Sequence, residues 1–296
     1  MEHKGLLIYP PSQLLKVEIP KPDGSLGLLY LVAALEKNGI KTDILDANIG
    51  TKFHNMEQPL HRFVQQNNGL IKIGMSFEEI ADYVQKGKYT FIGITSNFTS
   101  QTRMVIETAK AIKNINPDIK IYTGGTNAIA IYDRFLNTKY FDGVCLTEGE
   151  LIFPRMLKEG IENIPGWAYL NNNKIKVNPI DNSCFPLHLD DLPMPAWNKL
   201  IIEKYDIRDV TDHKSELSSA ILTSRGCIFQ CSYCHISGKK QITGKLRLHS
   251  LDRIINEIRE LKKMGIERIY FEDDSLLAIK SRVKELFKLV KKENIK

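Results

Sequence analysis

Between residues 5 and 146 short apolar runs alternate with stretches of helical periodicity, and this alternation constrains the fold more than any other feature. Residues 5–9 (GLLIY) form an apolar run closed by Pro10 and Pro11, as a buried strand should be. A helical stretch over Leu26–Lys37 follows, with Gly39 placed to end it. Residues 42–45 read as a second strand, Phe91–Thr95 (FIGIT) as a third, residues 119–123 as a fourth and 143–146 as a fifth. Between them, Ser76-Phe77-Glu78-Glu79 spells a capping box that opens a helix toward Gln85. Met104, Val105, Ala109 and Ile112 fall on one face of another helix, while residues 51–75 carry no clear pattern. Short strands joined by helical crossovers predict an α/β fold built on a doubly wound parallel sheet.

Ligands of such sheets sit beyond the carboxyl ends of the strands. The loops there read Ser96-Asn97-Phe98-Thr99, Gly124-Gly125-Thr126 and Glu148-Gly149-Glu150. Paired glycines let backbone approach a ligand closely, and hydroxyls can bond its polar edge. Taken alone, the pattern fits plain turns equally well. No GxGxxG follows the first strand, which argues against a dinucleotide site.

From about residue 161 to 215 the periodicity degrades. Residues 166–170, the polar Asn171-Asn172-Asn173 and Lys174–Val177 read as a hairpin. Residues 189–197 (LDDLPMPAW) are extended and proline-broken, as an ordered linker would be. Pattern returns at residues 219–223 (SAILT), a strand. The expected division is a sheet domain over 1–155, a linker over 156–215 and a third part over 216–296.

Directly after that last strand stand Cys227, Cys231 and Cys234, three of the five cysteines in the chain. Random placement gives this spacing roughly one time in a thousand. An odd number of cysteines and the lack of an apolar leader at the N-terminus disfavour disulfides and point to the cytoplasm. Structural zinc wants four ligands, usually in two paired knuckles. His235 adjoins Cys234 and closes a tetrahedron badly, while Cys145 and Cys184 lie far off in sequence. An iron–sulfur cluster held by three thiolates instead leaves one iron open to a non-protein ligand, and the spacing favours it.

Beyond the cysteines, Ser250 caps a helix whose apolar face is Leu251, Ile254, Ile255, Ile258, Leu261 and Met264, with Gly265 after it. Arg268–Phe271 is a strand with Glu272-Asp273-Asp274 at its carboxyl end, the face on which (β/α) barrels gather their active sites. Asp274-Ser275 could equally cap the next helix, whose buried face is Val283, Leu286, Phe287 and Val290. From Ser219 onward there are 78 residues, enough for two βα units, whereas a full barrel needs about 200 or more. A truncated reading frame, a fragmentary gene or half of a split enzyme is expected.

The formal charge of +6 weighs little toward nucleic acid, because residues 280–296 hold seven basic and two acidic side chains and so carry most of it. The longest apolar run, residues 26–35, is too short to span a bilayer.

With these motifs in hand, the chain resembles the radical S-adenosylmethionine enzymes, and within them the branch whose barrel follows a cobalamin-binding domain. CIFQCSYC matches the cluster loop of that superfamily; TSRG before it and the LDDLPMPAW linker are also typical, so the resemblance covers essentially the whole chain. It implies a [4Fe-4S] cluster on Cys227, Cys231 and Cys234, with S-adenosylmethionine on the open iron. Reductive cleavage there gives a 5′-deoxyadenosyl radical. Tyr233 would pack near the adenine, unless it merely fills the loop, and Glu272, Asp273 and Asp274 would approach the amine. Cobalamin would lie against Ser96, Thr99, Gly124, Gly125, Glu148 and Gly149 and carry a methyl group toward an unactivated carbon. No catalytic residue is assigned.

The implied partners are a small-molecule substrate, an external electron donor such as ferredoxin or flavodoxin, and a separate chain that completes the barrel. One departure stands out. Relatives that ligate cobalt from below do so with a histidine after the first strand, and residues 10–25 hold none, so no protein imidazole on cobalt is expected. Two other readings compete: a cobalamin-binding module with an inert barrel remnant, and a zinc-stabilised RNA-binding protein that uses the basic end.

Overall fold

The computed structural model describes residues 3–18, 25–54, 59–208, 215–229, 231–234 and 245–295; His235 lies outside them. In chain order the elements are β1 (Lys4–Tyr9), β2 (Ser12–Leu14), α1 (Leu26–Lys37), β3 (Lys41–Asp46), β4 (Val64–Gln65), β5 (Ile71–Ile73) and α2 (Phe77–Gly87). They continue with β6 (Phe91–Thr95), α3 (Thr102–Ile115), β7 (Lys120–Gly124), α4 (Thr126–Ala130), α5 (Tyr132–Asn137), β8 (Gly143–Cys145), α6 (Gly149–Glu159), β9 (Trp167–Asn171) and β10 (Lys174–Val177). The C-terminal part holds β11 (Asp206–Arg208), β12 (Ser215–Ile221), β13 (Ser224–Arg225), β14 (Arg247–Leu248), α7 (Leu251–Lys263), β15 (Arg268–Phe271) and α8 (Lys280–Lys292).

Seven strands make the main sheet, in the order β10-β9-β8-β7-β6-β1-β3. The five from β8 to β3 are parallel, with β1 paired to both β3 and β6. Counted in chain order they run 5-4-3-1-2, the flavodoxin-like winding, and its switch point lies between β1 and β6. Both faces are covered, as continuous apolar strands require. Leu6 and Ile8 of β1 face α2 and α3, while Leu7 and Tyr9 face α1 and α6. The hairpin of residues 166–177 does form, and it adds β9 and β10 antiparallel to the edge, so the sheet is mixed rather than purely parallel. The unpatterned residues 51–75 supply β4 and β5, which join β2 in a small antiparallel sheet.

The segment around residues 189–197 is less extended than its prolines suggest. It winds through 3-10 turns at Leu189–Asp191 and Trp197–Lys199, and buries Leu189, Leu192 and Trp197. In the C-terminal part β12 pairs in parallel with β15, with α7 between them as the crossover, and β11 lies antiparallel on the other side of β12. Asp274-Ser275 does not cap the last helix, because a 3-10 turn at Leu276–Ala278 intervenes and α8 starts after Ile279 with no side-chain cap. Phe287, expected inside, is 45% exposed and only edges against Phe271. Among the described residues no helix is long and apolar enough to cross a membrane.

Candidate cofactor site

A cavity of about 260 Å³ opens at the carboxyl ends of the parallel strands, beside the switch point. Two glycines make room for it. A side chain at Gly93, in the middle of β6, would run into Leu7 at 2.6 Å, whereas one at Gly27 on α1 would meet nothing within 4 Å. The floor is aromatic: Tyr122, Phe153 and Trp167 meet edge to face or tilted, at centroid separations of 5.5–5.7 Å. Such mutual packing holds each ring in place. Trp167 is 1% exposed, and its indole Nε1 has no hydrogen-bond partner among the described residues. Burial pushes the cavity-lining Cys145 thiol up to about 12 and keeps it neutral.

Gly124, Gly125, Glu148 and Gly149 all line this cavity. Gly125 has φ +102°, and an added Cβ would sit 2.4 Å from Asn97 Oδ1, so backbone must pass where a side chain cannot. Ser96 is different. Its hydroxyl is fully buried and accepts from Asn127 Nδ2 at 2.8 Å, an amide that also donates to Thr102 Oγ1 at 2.9 Å. The neighbours Thr95 and Asn97 line the cavity in its place, because side chains alternate across the strand end. Thr99 is exposed at the start of a 3-10 turn and also stands outside the cavity. Gly27 and Gly93 escaped the sequence reading, although a lone glycine inside an apolar strand is itself a sign of close approach.

The far wall comes from the C-terminal part, through Leu222 and Arg225. Arg225 Nη1 donates to Glu148 Oε2 at 3.2 Å, and Nη2 pairs with Glu150 Oε1 at 2.7 Å. Arg247, opposite Arg225 in the β13–β14 ribbon, grips Glu148 with both terminal nitrogens. Burial by itself would raise Glu150, but the Arg225 guanidinium outweighs it and holds the carboxyl below the usual range. In return Glu150 and Glu148 overcome the burial of Arg225 and keep it firmly charged.

One residue beyond Arg225 the chain turns at Gly226 (φ +84°) into the cysteine loop. The acidic loop after β15 supports this turn. Asp273 accepts from Thr223 N at 3.1 Å, from Thr223 Oγ1 at 2.7 Å and from the Ser224 hydroxyl, while Asp274 Oδ2 accepts from Gly226 N at 2.9 Å. Glu272 is exposed, and its backbone N–H continues the sheet to Ile221 O. Cys227, Cys231 and Cys234 are in no disulfide, and none of them is buried. Phe229 N donates to Cys227 Sγ at 3.5 Å and Cys234 N to Cys231 O at 3.1 Å. Among the described residues no three His, Cys, Asp or Glu side chains stand close enough together to hold one metal ion. Tyr233 is 91% exposed among the described residues.

Comparison with known proteins agrees with this arrangement. Residues 17–157 match the B12 binding domain family and residues 221–296 match the radical SAM superfamily. Over 97% of its length the chain is 26% identical to cytidylyl-2-hydroxyethylphosphonate methyltransferase of Streptomyces wedmorensis, and over 99% it is 28% identical to an uncharacterised methyltransferase of Pyrococcus horikoshii. It spans 58% of the length of each. The fold is that of OxsB, solved with aqua-cobalamin and S-adenosylmethionine bound (TM-score 0.68, 19% identity, 93% of this chain and 34% of that one). It is also that of TsrM from Kitasatospora setae, solved with cobalamin and a [4Fe-4S] cluster (TM-score 0.67, 17% identity, 99% of this chain and 51% of that one). With a cavity-bearing sheet domain ahead of a three-cysteine loop, and both family matches in that same order, the chain joins a B12 binding domain to a radical SAM region.

Proposed function

We propose that this chain is the cobalamin-binding and cluster-carrying part of a radical S-adenosylmethionine methyltransferase acting on a small molecule. The observation that carries the reading is the shared wall. Leu222 and Arg225, which lead into the cysteine loop, close a cavity that otherwise belongs to the sheet domain. Two cofactor sites are thereby neighbours.

The residues fit the groups they are asked to hold. The glycine-thinned, aromatic-floored cavity suits an uncharged ring or alkyl portion of cobalamin, and Trp167 Nε1 is a buried donor still in want of an acceptor. Ser96 and Thr99 stand outside the cavity, so cobalamin contacts fall first to Gly124, Gly125, Glu148 and Gly149. No histidine lies among residues 10–25, and bound cobalamin would carry no imidazole from that loop on its cobalt. Cys227, Cys231 and Cys234 are accessible, outside any disulfide and confined to one loop, a donor set that suits a cluster with one open iron. When bound, these groups supply one-electron cleavage of S-adenosylmethionine and a methyl carrier, chemistry that no protein side chain provides.

The protein's own part is to hold and shield. Asp273 and Asp274 fix the backbone that enters the loop, the exposed Tyr233 and the acidic loop after β15 would approach S-adenosylmethionine, and an external donor such as ferredoxin or flavodoxin supplies the electron. The sheet domain, which the hairpin extends to Val177, would serve as cobalamin domain, residues 178–215 as a packed connection and residues 216–296 as the opening of the barrel. Further strands, from this gene or a separate chain, would pair beside β15 and complete the substrate pocket.

The test is anaerobic reconstitution with iron and sulfide, followed by addition of hydroxocobalamin. About four irons per chain are expected, together with cobalamin that co-elutes with the protein. Cys227→Ala should lose the iron and keep the cobalamin, and Gly93→Leu should do the reverse. One zinc and no iron would overturn the cluster in favour of a zinc-stabilised protein. Iron without S-adenosylmethionine cleavage by the completed barrel would favour an inert binding module.

A further inference from the structure

Arg225 stands where the cavity wall meets the cysteine loop. Its guanidinium lines the cavity, while its backbone is the last paired residue of β13 before Gly226 and Cys227. The guanidinium carbon lies 4.7 Å over the ring of Tyr30, on α1, and only 12% of the side chain is exposed. Its two carboxylate partners, Glu148 and Glu150, flank Gly149 on the same cavity-lining loop. With Arg247 included, the group holds two positive and two negative charges and leaves no surplus for an ionic ligand. It is built as a strut. A lysine at this position could not meet both carboxylates and stack on Tyr30 at once.

Other supports of this turn come from outside the cavity, among them Arg282 of α8, which donates to Thr223 O at 3.0 Å. Asp273 and Asp274 hold Thr223, Ser224 and Gly226 from the loop after β15, which takes no part in the cavity. The Arg225 side chain therefore ties this turn to the loop at Glu148–Glu150. A ligand pressed against that loop fixes both carboxylates; they fix the guanidinium, and it fixes backbone two residues from Cys227.

We propose that Arg225 is the positioning residue that joins the cofactor cavity to the cysteine loop, so that filling the cavity also steadies the backbone of residues 226–229. The proposal rests on the reading that the cavity takes cobalamin. Its test is amide hydrogen exchange over residues 223–229 in the full chain without the cluster, with and without saturating hydroxocobalamin. Parent protein should exchange at least about fivefold more slowly with the ligand. Compared at hydroxocobalamin concentrations that saturate each protein, Arg225→Gln should lose that slowing and Arg225→Lys should recover only part of it. Should Arg225→Gln fail to fold, Glu150→Gln removes the 2.7 Å pair and carries the same expectation.

Equal slowing in parent and variant, or none in a parent that binds the ligand, overturns the proposal. If the parent does not bind hydroxocobalamin, the cobalamin reading fails separately. The strut is then judged in the free proteins: Arg225→Gln must speed exchange at 226–229 with β6 and β7 amides unchanged, and identical rates would overturn it.

Discussion

Glu257 is the residue that sequence patterning handles worst. It lies on the buried face of α7, 2% exposed, and its Oε1 has no hydrogen-bond partner among the described residues. Burial pushes its carboxyl from 4.5 up to about 7. His249 nearby in sequence, also 2% exposed, is driven by burial from 6.5 down to about 4, although Asp190 Oδ1 lies 2.8 Å from its Nδ1. The two groups act in opposite senses. Between pH 4.5 and 7 folded Glu257 keeps a proton that the unfolded chain releases, so stability falls by about 1.4 kcal/mol per pH unit. Between pH 4 and 6.5 the unfolded chain protonates His249 and the folded protein does not, so stability rises at a similar rate. The slopes offset each other over most of that window. Glu257→Gln removes only the falling one, and its stability relative to the parent should grow by about 3 kcal/mol from pH 4.5 to 7 in urea titrations. A difference independent of pH would show that Glu257 ionises in the folded protein as it does in the unfolded chain. At this same scale the three cysteines were plain from spacing alone, whereas Arg225 was simply one residue of a typical tetrapeptide. Its meaning depends on Glu148 and Glu150, about 75 residues earlier.

Elements were legible where their signals are local. The capping box forms as read: Ser76 Oγ accepts from Glu79 N at 3.1 Å, and Glu79 Oε2 accepts from Ser76 N at 2.7 Å. Ser76→Ala should cost about 1 kcal/mol, seen as a lower urea midpoint with an unchanged slope. A loss near zero would mean that packing of Ile80, Ala81 and Val84 alone fixes the start of α2. The hairpin was equally readable, since Asn172 and Asn173 adopt the positive φ values its turn requires. Its attachment to β8 was not, because register across strands from different segments is set by the fold. Helix α1 lies between these cases. LGLLYLVAAL is apolar on every side, which marks a helix covered all round but names neither covering partner.

At the scale of the molecule those partners are the sheet on one side and the C-terminal part on the other. Leu28, Val32 and Leu35 pack with the sheet, whereas Leu26, Leu29 and Tyr30 join Leu189, Leu192, Trp197 and the inner face of α7. The proline-broken segment is thus part of the core, and its Trp197 is 7% exposed. Trp197→Ala should destabilise by about 3–5 kcal/mol. The loss should fall on the C-terminal part, so that hydrogen exchange quickens in α7 and β15 before it does in β6 and β7. Uniform quickening would mean that the two parts unfold as one.

The sequence by itself determined the strand–helix alternation, the glycine and acidic loops, and the three-cysteine motif, because each is written in residues a few positions apart. Only the tertiary structure decided which of those loops meet. It turned Ser96 toward Asn127, opened the cavity between Gly27 and Gly93, and closed it with an arginine that also leads into the cysteine loop. Such contacts join segments far apart in the chain, and they exist only once burial of α1 between two cores has brought those segments together.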